Sequence, residues 1–311
     1  MTWKFESVHG PLNRPLGGLA WDGAQMLASD INNSMTLAFD PTTGQTSVKR
    51  KYTNRVNGIA FGSDGALFGC QEGSRRVIRM LADGAATQTA TQFHGRPHNH
   101  PNLIVMDRKG DAWFSDCYHP SPASGPQVFP DLDHQSVLRL HIGGRPHSHW
   151  HLDRMTFDTT SPRGVALSPD EKTLYVAETD NEHGGVRELR AYPVLDDGTL
   201  GHFIVLHTFG TDNRGVHRGI EGICVDTQGH IFACAGWHRS GPGPMIIVFE
   251  PSGAIVSTHP LPADMPMNCA FGDSDTSTLY VTTADGQLLR ARATGYTGLK
   301  SHLPINAESK K

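Results

Sequence analysis

Six times along this chain a short apolar run, a tight turn rich in Asp and Gly, and a second apolar run follow one another. The copies fall at residues 18–30, 58–70, 103–116, 164–178, 221–235 and 269–283. In each, two β-rich runs flank residues that adopt positive φ at little cost, which is the pattern of a β-hairpin. The copies recur every 40 to 60 residues or so, the length of one four-stranded blade. Six copies therefore predict an all-β chain, a six-bladed β-propeller with four-stranded blades around a central channel.

In a propeller the innermost strand of each blade starts at one mouth of the channel, so the residue just before each apolar run should point toward the axis. Those residues are Gly17, Asn57, Asn102, Arg163, Glu221 and Asn268. A ring of amide, guanidinium and carboxylate groups reads as a site for chemistry rather than as packing.

The rest of the chain agrees with this frame. One repeat period throughout its 311 residues argues for a single domain spanning 1–311, and 34 Gly with 20 Pro suit a turn-dense chain. A net charge of −4 with no basic block gives no reason to expect nucleic acid or an anionic membrane as partner. No apolar run approaches the length of a membrane span, so a soluble, cytoplasmic protein is expected. The five cysteines lack metal-finger spacing and read as buried free thiols. The alternating segment from Trp3 to His9 is expected to complete the last blade as its outer strand, leaving no open edge in the ring. Two long loops, from Tyr118 to Gln135 and from Asp180 to Gly185, are expected to rise at the mouth that carries the axial residues.

Several motifs go further. Leu16-Gly-Gly-Leu-Ala-Trp-Asp22, Pro101-Asn102 followed by Asp107, Ser168-Pro-Asp-Glu-Lys-Thr-Leu-Tyr-Val176, Glu221-Gly-Ile-Cys-Val-Asp226, Asn268-Cys-Ala-Phe-Gly272 and Thr278-Leu-Tyr-Val-Thr-Thr283 resemble the senescence marker protein 30, gluconolactonase and luciferin-regenerating enzyme family of six-bladed propellers. The resemblance implies hydrolysis of lactones or related esters with one divalent cation, Ca²⁺ or Zn²⁺, on the channel axis. It places the metal ligands at positions occupied here by Gly17, Arg163 and Glu221, and a substrate-binding Asn-Asp pair where this chain has Asn102 and Leu103. Two of the three ligands are thus replaced, one by a guanidinium.

Two site chemistries follow from the residues. In one, Arg163 pairs with Glu221 and takes over the task of polarising a carbonyl, Glu221 serving as general base. In the other, a metal is kept by Glu221 with His98 or His100, since His-Asn-His in an extended segment sets both imidazoles on one side. His98, His100 and His119 are candidates for moving the proton to the leaving oxygen. Asn57, Asn102, Asn268, Arg96, His183, Trp237 and His238 are candidates for holding substrate, and Arg218 also flanks the mouth. His149 and His151, with His147, fall on the expected rim strand of the third blade, far from the channel. No phosphate loop or nucleophile elbow is present, and no nucleotide cofactor is expected. The expected function is a lactonase-type hydrolase of a small molecule. The alternatives are a lyase or isomerase acting on a carboxylated small molecule, and a non-catalytic ligand-binding propeller.

Overall fold

In the computed structural model, which describes residues 2–118, 132–143, 149–181, 184–299 and 302–304, each predicted hairpin forms the inner half of an antiparallel four-stranded sheet. Blade 1 holds Leu16–Trp21, Met26–Asp30, Met35–Asp40 and Gln45–Lys51, and blade 2 holds Val56–Phe61, Leu67–Gln71, Arg76–Met80 and Ala86–Gln88. His100–Met106, Ala112–Cys117, Ser136–Gly143 and His149–Arg154 make blade 3, and Pro162–Leu167, Thr173–Thr179, Arg187–Pro193 and Ile204–Thr208 make blade 4. Blade 5 consists of Ile220–Val225, Ile231–Trp237, Ser240–Phe249 and Ile255–Pro260. Blade 6 takes Pro266–Gly272, Thr278–Thr283 and Leu288–Ala291 from the end of the chain and Phe5–His9 from its beginning. The chain is a six-bladed propeller. Two short hairpins, Gln92–Phe93 with Arg96–Pro97 and Thr211–Asp212 with Gly215–Val216, were not foreseen from sequence.

Apolar residues are buried between blades rather than in one central core. Each of six clusters draws from two neighbouring blades: Leu189 and Ile231 share the seam of blades 4 and 5, Phe232 and Phe271 that of blades 5 and 6, and Met26 and Tyr280 that of blades 6 and 1. The remaining three seams are filled in the same way, as by Phe68 with Phe114 and by Trp113 with Val176. Inner strands are buried on both faces and so read as continuous apolar runs, whereas the outer strand Gln45–Lys51 is largely exposed.

At the axis the strands approach so closely that side chains are excluded. A Cβ on Gly58 would lie 2.5 Å from the Asn102 carbonyl oxygen, and one on Gly222 would lie 2.6 Å from that of Met267. Gly18 and Gly164 meet the next blade in the same way, at 2.7 and 2.9 Å. Each of these glycines directly follows an axial residue, so the contact sets the height of the ring.

Carboxylates at the ends of second strands brace the loops that lead into first strands. Asp30 accepts from Arg14, Glu72 from Arg55, Asp116 from the Asn99 backbone N–H at 2.8 Å, and Glu178 from the Thr160 N–H at 2.8 Å and the Thr160 hydroxyl at 2.7 Å. These loops lead directly into the strands that carry the axial residues, and charge-assisted bonds of this kind hold them firmly.

Phe5–His9 pairs antiparallel with Leu288–Ala291 and closes the ring. Trp3 locks the closure: its ring stacks on His259 at 3.6 Å and its indole N–H donates to the Thr294 carbonyl at 3.1 Å. At the opposite end of the channel the chain after blade 6 runs beneath the inner hairpins, with Gly298 bridging to Asp226 and His302 Nε2 donating to the Asp107 carbonyl at 3.0 Å. Among the described residues no helix is long and apolar enough to cross a membrane.

The glycine contacts yield a test. Gly58→Ala forces two inner strands apart and should destabilise the fold by at least about 2 kcal/mol in urea titration, in the range of a core overpacking. Gly210→Ala, where a Cβ meets nothing within 4 Å, should stay within about 0.5 kcal/mol of the parent.

Candidate active site

The axial residues fall into two contacting groups. On blades 2 and 3, Asn57 Nδ2 donates to Asn102 Oδ1 at 3.2 Å, and Asn102 Nδ2 reaches the Cys117 sulfur at 3.6 Å. On blades 4 and 5, Arg163 Nη1 stands 4.0 Å from Glu221 Oε1. The second group also contains Arg218, whose Nη2 lies 3.3 Å from Glu221 Oε2. The Cys117 thiol connects the two sets: burial pushes its pKa up, the Arg163 guanidinium pulls it back, and the Glu221 charge adds to the rise.

Sequence puts Arg218 with Arg96, His217 and Arg239 among residues that flank the mouth and could bind substrate carboxylates or hydroxyls; the structure sets it against Glu221. It is buried, with Nη1 donating to the Pro266 carbonyl at 2.9 Å and Nη2 directed at Glu221. Burial lowers its pKa and the Glu221 carboxylate opposes that effect. Its place in the segment just before Ile220–Val225, three residues ahead of Glu221, is the signal that could have exposed it. One guanidinium thus fixes Oε2, while the other faces Oε1 at a distance beyond direct hydrogen bonding.

Asn268 is turned back on its own strand, its Oδ1 accepting from the Cys269 N–H at 2.8 Å. His100 is buried, and its ring meets Tyr118 edge-on at 6.2 Å. His98 is enclosed in the seam of blades 2 and 3 with its ring 5.6 Å from Phe114. The argument that an extended segment sets the His98 and His100 imidazoles on one side does not hold, because His98 lies outside the strand, which begins at His100. Burial, aided by the Arg75 guanidinium, pushes the His98 pKa down to about 3, so the ring is neutral. His119 and His183, with most of the two long loops, lie outside the described residues.

The remaining candidates stand in separate surroundings. Trp237 is buried, its indole N–H donating to Ser240 Oγ at 2.7 Å, and His238 is exposed, with its backbone N–H on Asp264 at 2.9 Å. Arg96 is exposed on the first short hairpin and lines a groove of about 960 Å³ with His94, His134 and Arg154. His149 and His151 are exposed on the outer strand of blade 3, as expected for a rim.

A divalent cation on the axis does not fit this donor set. Calcium takes six to eight oxygen ligands and zinc four ligands, mostly anionic or imidazole. The one carboxylate of the ring is already flanked by two guanidinium groups, which would repel a cation placed on it. Gly17 offers no ligand, and its missing Cβ would lie 2.2 Å from Asn57 Oδ1, so the amide occupies the space that a longer side chain would need. Among the described residues no three or more His, Cys, Asp and Glu are arranged to hold a metal ion.

Comparison with known proteins follows this geometry. Residues 17–285 match the family described as the SMP-30/Gluconolactonase/LRE-like region. A gluconolactonase of Zymomonas mobilis is 26% identical over 245 residues, covering 76% of this chain and 62% of that protein. A 6-deoxy-6-sulfogluconolactonase of Pseudomonas putida is 26% identical over 191 residues, covering 61% of this chain and 56% of that protein. The chain therefore spans less than two thirds of the length of either relative. The solved structure of a gluconolactonase from Xanthomonas campestris superposes with a TM-score of 0.76 at 27% identity, covering 93% of this chain and 89% of that one.

The buried histidines make stability pH-dependent. His98, near 3, and His259, which burial lowers to about 4, both bind protons less readily folded than unfolded. The unfolded chain then takes up more protons between about pH 6.5 and pH 3, and stability falls as pH falls through that window. Urea midpoints measured from pH 7 down to pH 4.5 should decline, by up to about 1.4 kcal/mol per pH unit for each histidine. His98→Gln should flatten the decline; an unchanged slope would show that His98 is not buried neutral.

Proposed function

This chain belongs to the SMP-30/gluconolactonase/LRE-like family, and from that premise we propose that it hydrolyses sugar lactones at the channel mouth with Glu221, Arg163 and Arg218 as its charged centre. The reading is supported by the two gluconolactonase-type relatives and the gluconolactonase structure. The observation that carries it is the clamp itself, a carboxylate with one oxygen fixed by a buried guanidinium and the other facing a second guanidinium 4.0 Å away.

In this reading Arg218 is a positioning residue. It orients Glu221 so that Oε1 takes a proton from the attacking water as the water oxygen bonds to the lactone carbonyl carbon. Negative charge then gathers on the carbonyl oxygen. Arg163, permanently charged and carrying several donors in one plane, stabilises that oxyanion. The Asn57–Asn102 pair supplies neutral donors and acceptors for sugar hydroxyls. Collapse of the intermediate breaks the bond between the carbonyl carbon and the ring oxygen. The ring oxygen needs a proton, a role this reading gives to His100, whose ring meets Tyr118 just past the end of the second strand of blade 3. The product is an open-chain hydroxy acid, one water heavier than the substrate.

The chemistry is tested by following acid release from glucono- and pentono-lactones at constant pH. Glu221→Gln should lower kcat by about 10² or more, the usual contribution of a positioned general base. Arg163→Met should lower kcat by about 10² to 10³ with a smaller change in KM, as expected on removing a donor that acts on the developing charge. A parent protein that releases no acid from any lactone would overturn the reading. So would a Glu221→Gln variant with parental kcat. A product of unchanged mass would indicate lyase or isomerase chemistry instead.

A further inference from the structure

Three cysteines meet in the seam between blades 5 and 6, and the proposed reaction uses none of them. Cys224 and Cys269 lie on facing inner strands with their sulfurs 3.5 Å apart, and the Cys269 S–H also lies 3.5 Å from the Phe232 carbonyl. Cys234, on the second strand of blade 5, belongs to the same buried cluster. All three are free thiols. Their strands are held in register just above, where Gly222 packs against Met267 and Asn268.

Two of the three residues border a cavity. Cys224 is only half-buried, and Cys224 and Cys269 both line the lower channel, a cavity of about 260 Å³ below the axial ring. The walls include Ile104, Val165, Ile223 and Phe271, and the cavity is far too large to exclude a molecule little bigger than water.

We propose that a hydroperoxide entering the lower channel oxidises Cys224 and that Cys269 resolves it, forming a disulfide that joins blades 5 and 6 beneath the ring. In the first step the Cys224 sulfur attacks one peroxide oxygen, the O–O bond breaks, and Cys224 becomes a sulfenic acid while the peroxide leaves as water or an alcohol. In the second, the Cys269 sulfur attacks the Cys224 sulfur and the S–O bond breaks, with the hydroxyl and the Cys269 proton departing as water. Two thiols are oxidised by two electrons and one peroxide is reduced. The sulfurs must close from 3.5 Å to about 2.05 Å. Burial raises the Cys224 thiol. The first step should therefore quicken as pH rises.

Cys269 adjoins Asn268, and Cys224 lies three residues beyond Glu221, so the bond would tighten the strands that carry the ring. Any effect on lactone turnover rests on the function proposed above; the disulfide itself does not.

The test is peptide mapping by mass spectrometry after the folded full chain is treated with hydrogen peroxide and its remaining thiols are alkylated. The expected result is a peptide pair cross-linked through Cys224 and Cys269, two of five thiols lost to alkylation, and reversal by dithiothreitol. Cross-linking should be faster at pH 9 than at pH 7, should persist in Cys234→Ala, and should vanish in Cys224→Ser. Complete alkylation after peroxide would overturn the proposal. So would a Cys234–Cys269 pairing, or Cys224 oxidised to sulfinic acid with Cys269 still free. Mapping the parent protein decides these outcomes even where a variant fails to fold.

Discussion

The structure depends on backbone meeting backbone at the axis. Gly18, Gly58, Gly164 and Gly222 each leave less than 3 Å between a hypothetical Cβ and the next blade, so neighbouring inner strands touch with nothing between them. That contact fixes where the preceding residue stands, and the preceding residues are Gly17, Asn57, Arg163 and Glu221. A propeller has no central core to define its middle; apolar clusters hold the blades together in pairs, and the glycine contacts set how closely the ring can draw in. Ring geometry and ring chemistry therefore share one cause.

Electrostatics decides what that ring can do. A lone carboxylate at the mouth would invite a cation, but Glu221 has two guanidinium neighbours, one buried and bonded to backbone carbonyls as well. The Asn57 amide fills the space beside Gly17, so the departures at the first and fourth blades act together: one removes an oxygen donor and the other supplies a fixed positive charge. A guanidinium keeps its charge at all working pH values and needs no coordination shell, which makes it a physical substitute for a Lewis acid beside a carbonyl. The Asn57–Asn102 pair keeps the opposite wall polar and uncharged, suited to hydroxyl groups.

The fold was legible because inner strands buried on both faces give uninterrupted apolar runs, and the turns between them leave Asp and Gly in fixed places. The axial ring was legible for the same reason, as the position just ahead of each run. What escaped were features made by loops and by seams. Arg218 lies outside the strand, in the segment just ahead of it, and only its spacing of three residues from Glu221 hints at the contact. His98 precedes the strand that begins at His100, so strand alternation does not govern it, and its ring ends against Phe114. The meeting of Cys224 with Cys269 depends on the stagger of two blades 45 residues apart in sequence, and no local pattern encodes stagger. Trp237, a candidate for holding substrate, has its indole bound to Ser240 within its own blade.

The central claim is that a guanidinium stands where the resemblance expects a cation. Metal content of the full chain, purified without a metal-affinity tag, tests it most directly when read together with lactone hydrolysis before and after chelation. The account predicts substoichiometric metal and hydrolysis that chelation leaves unchanged. Near-stoichiometric calcium or zinc, lost on chelation together with the activity, would contradict it.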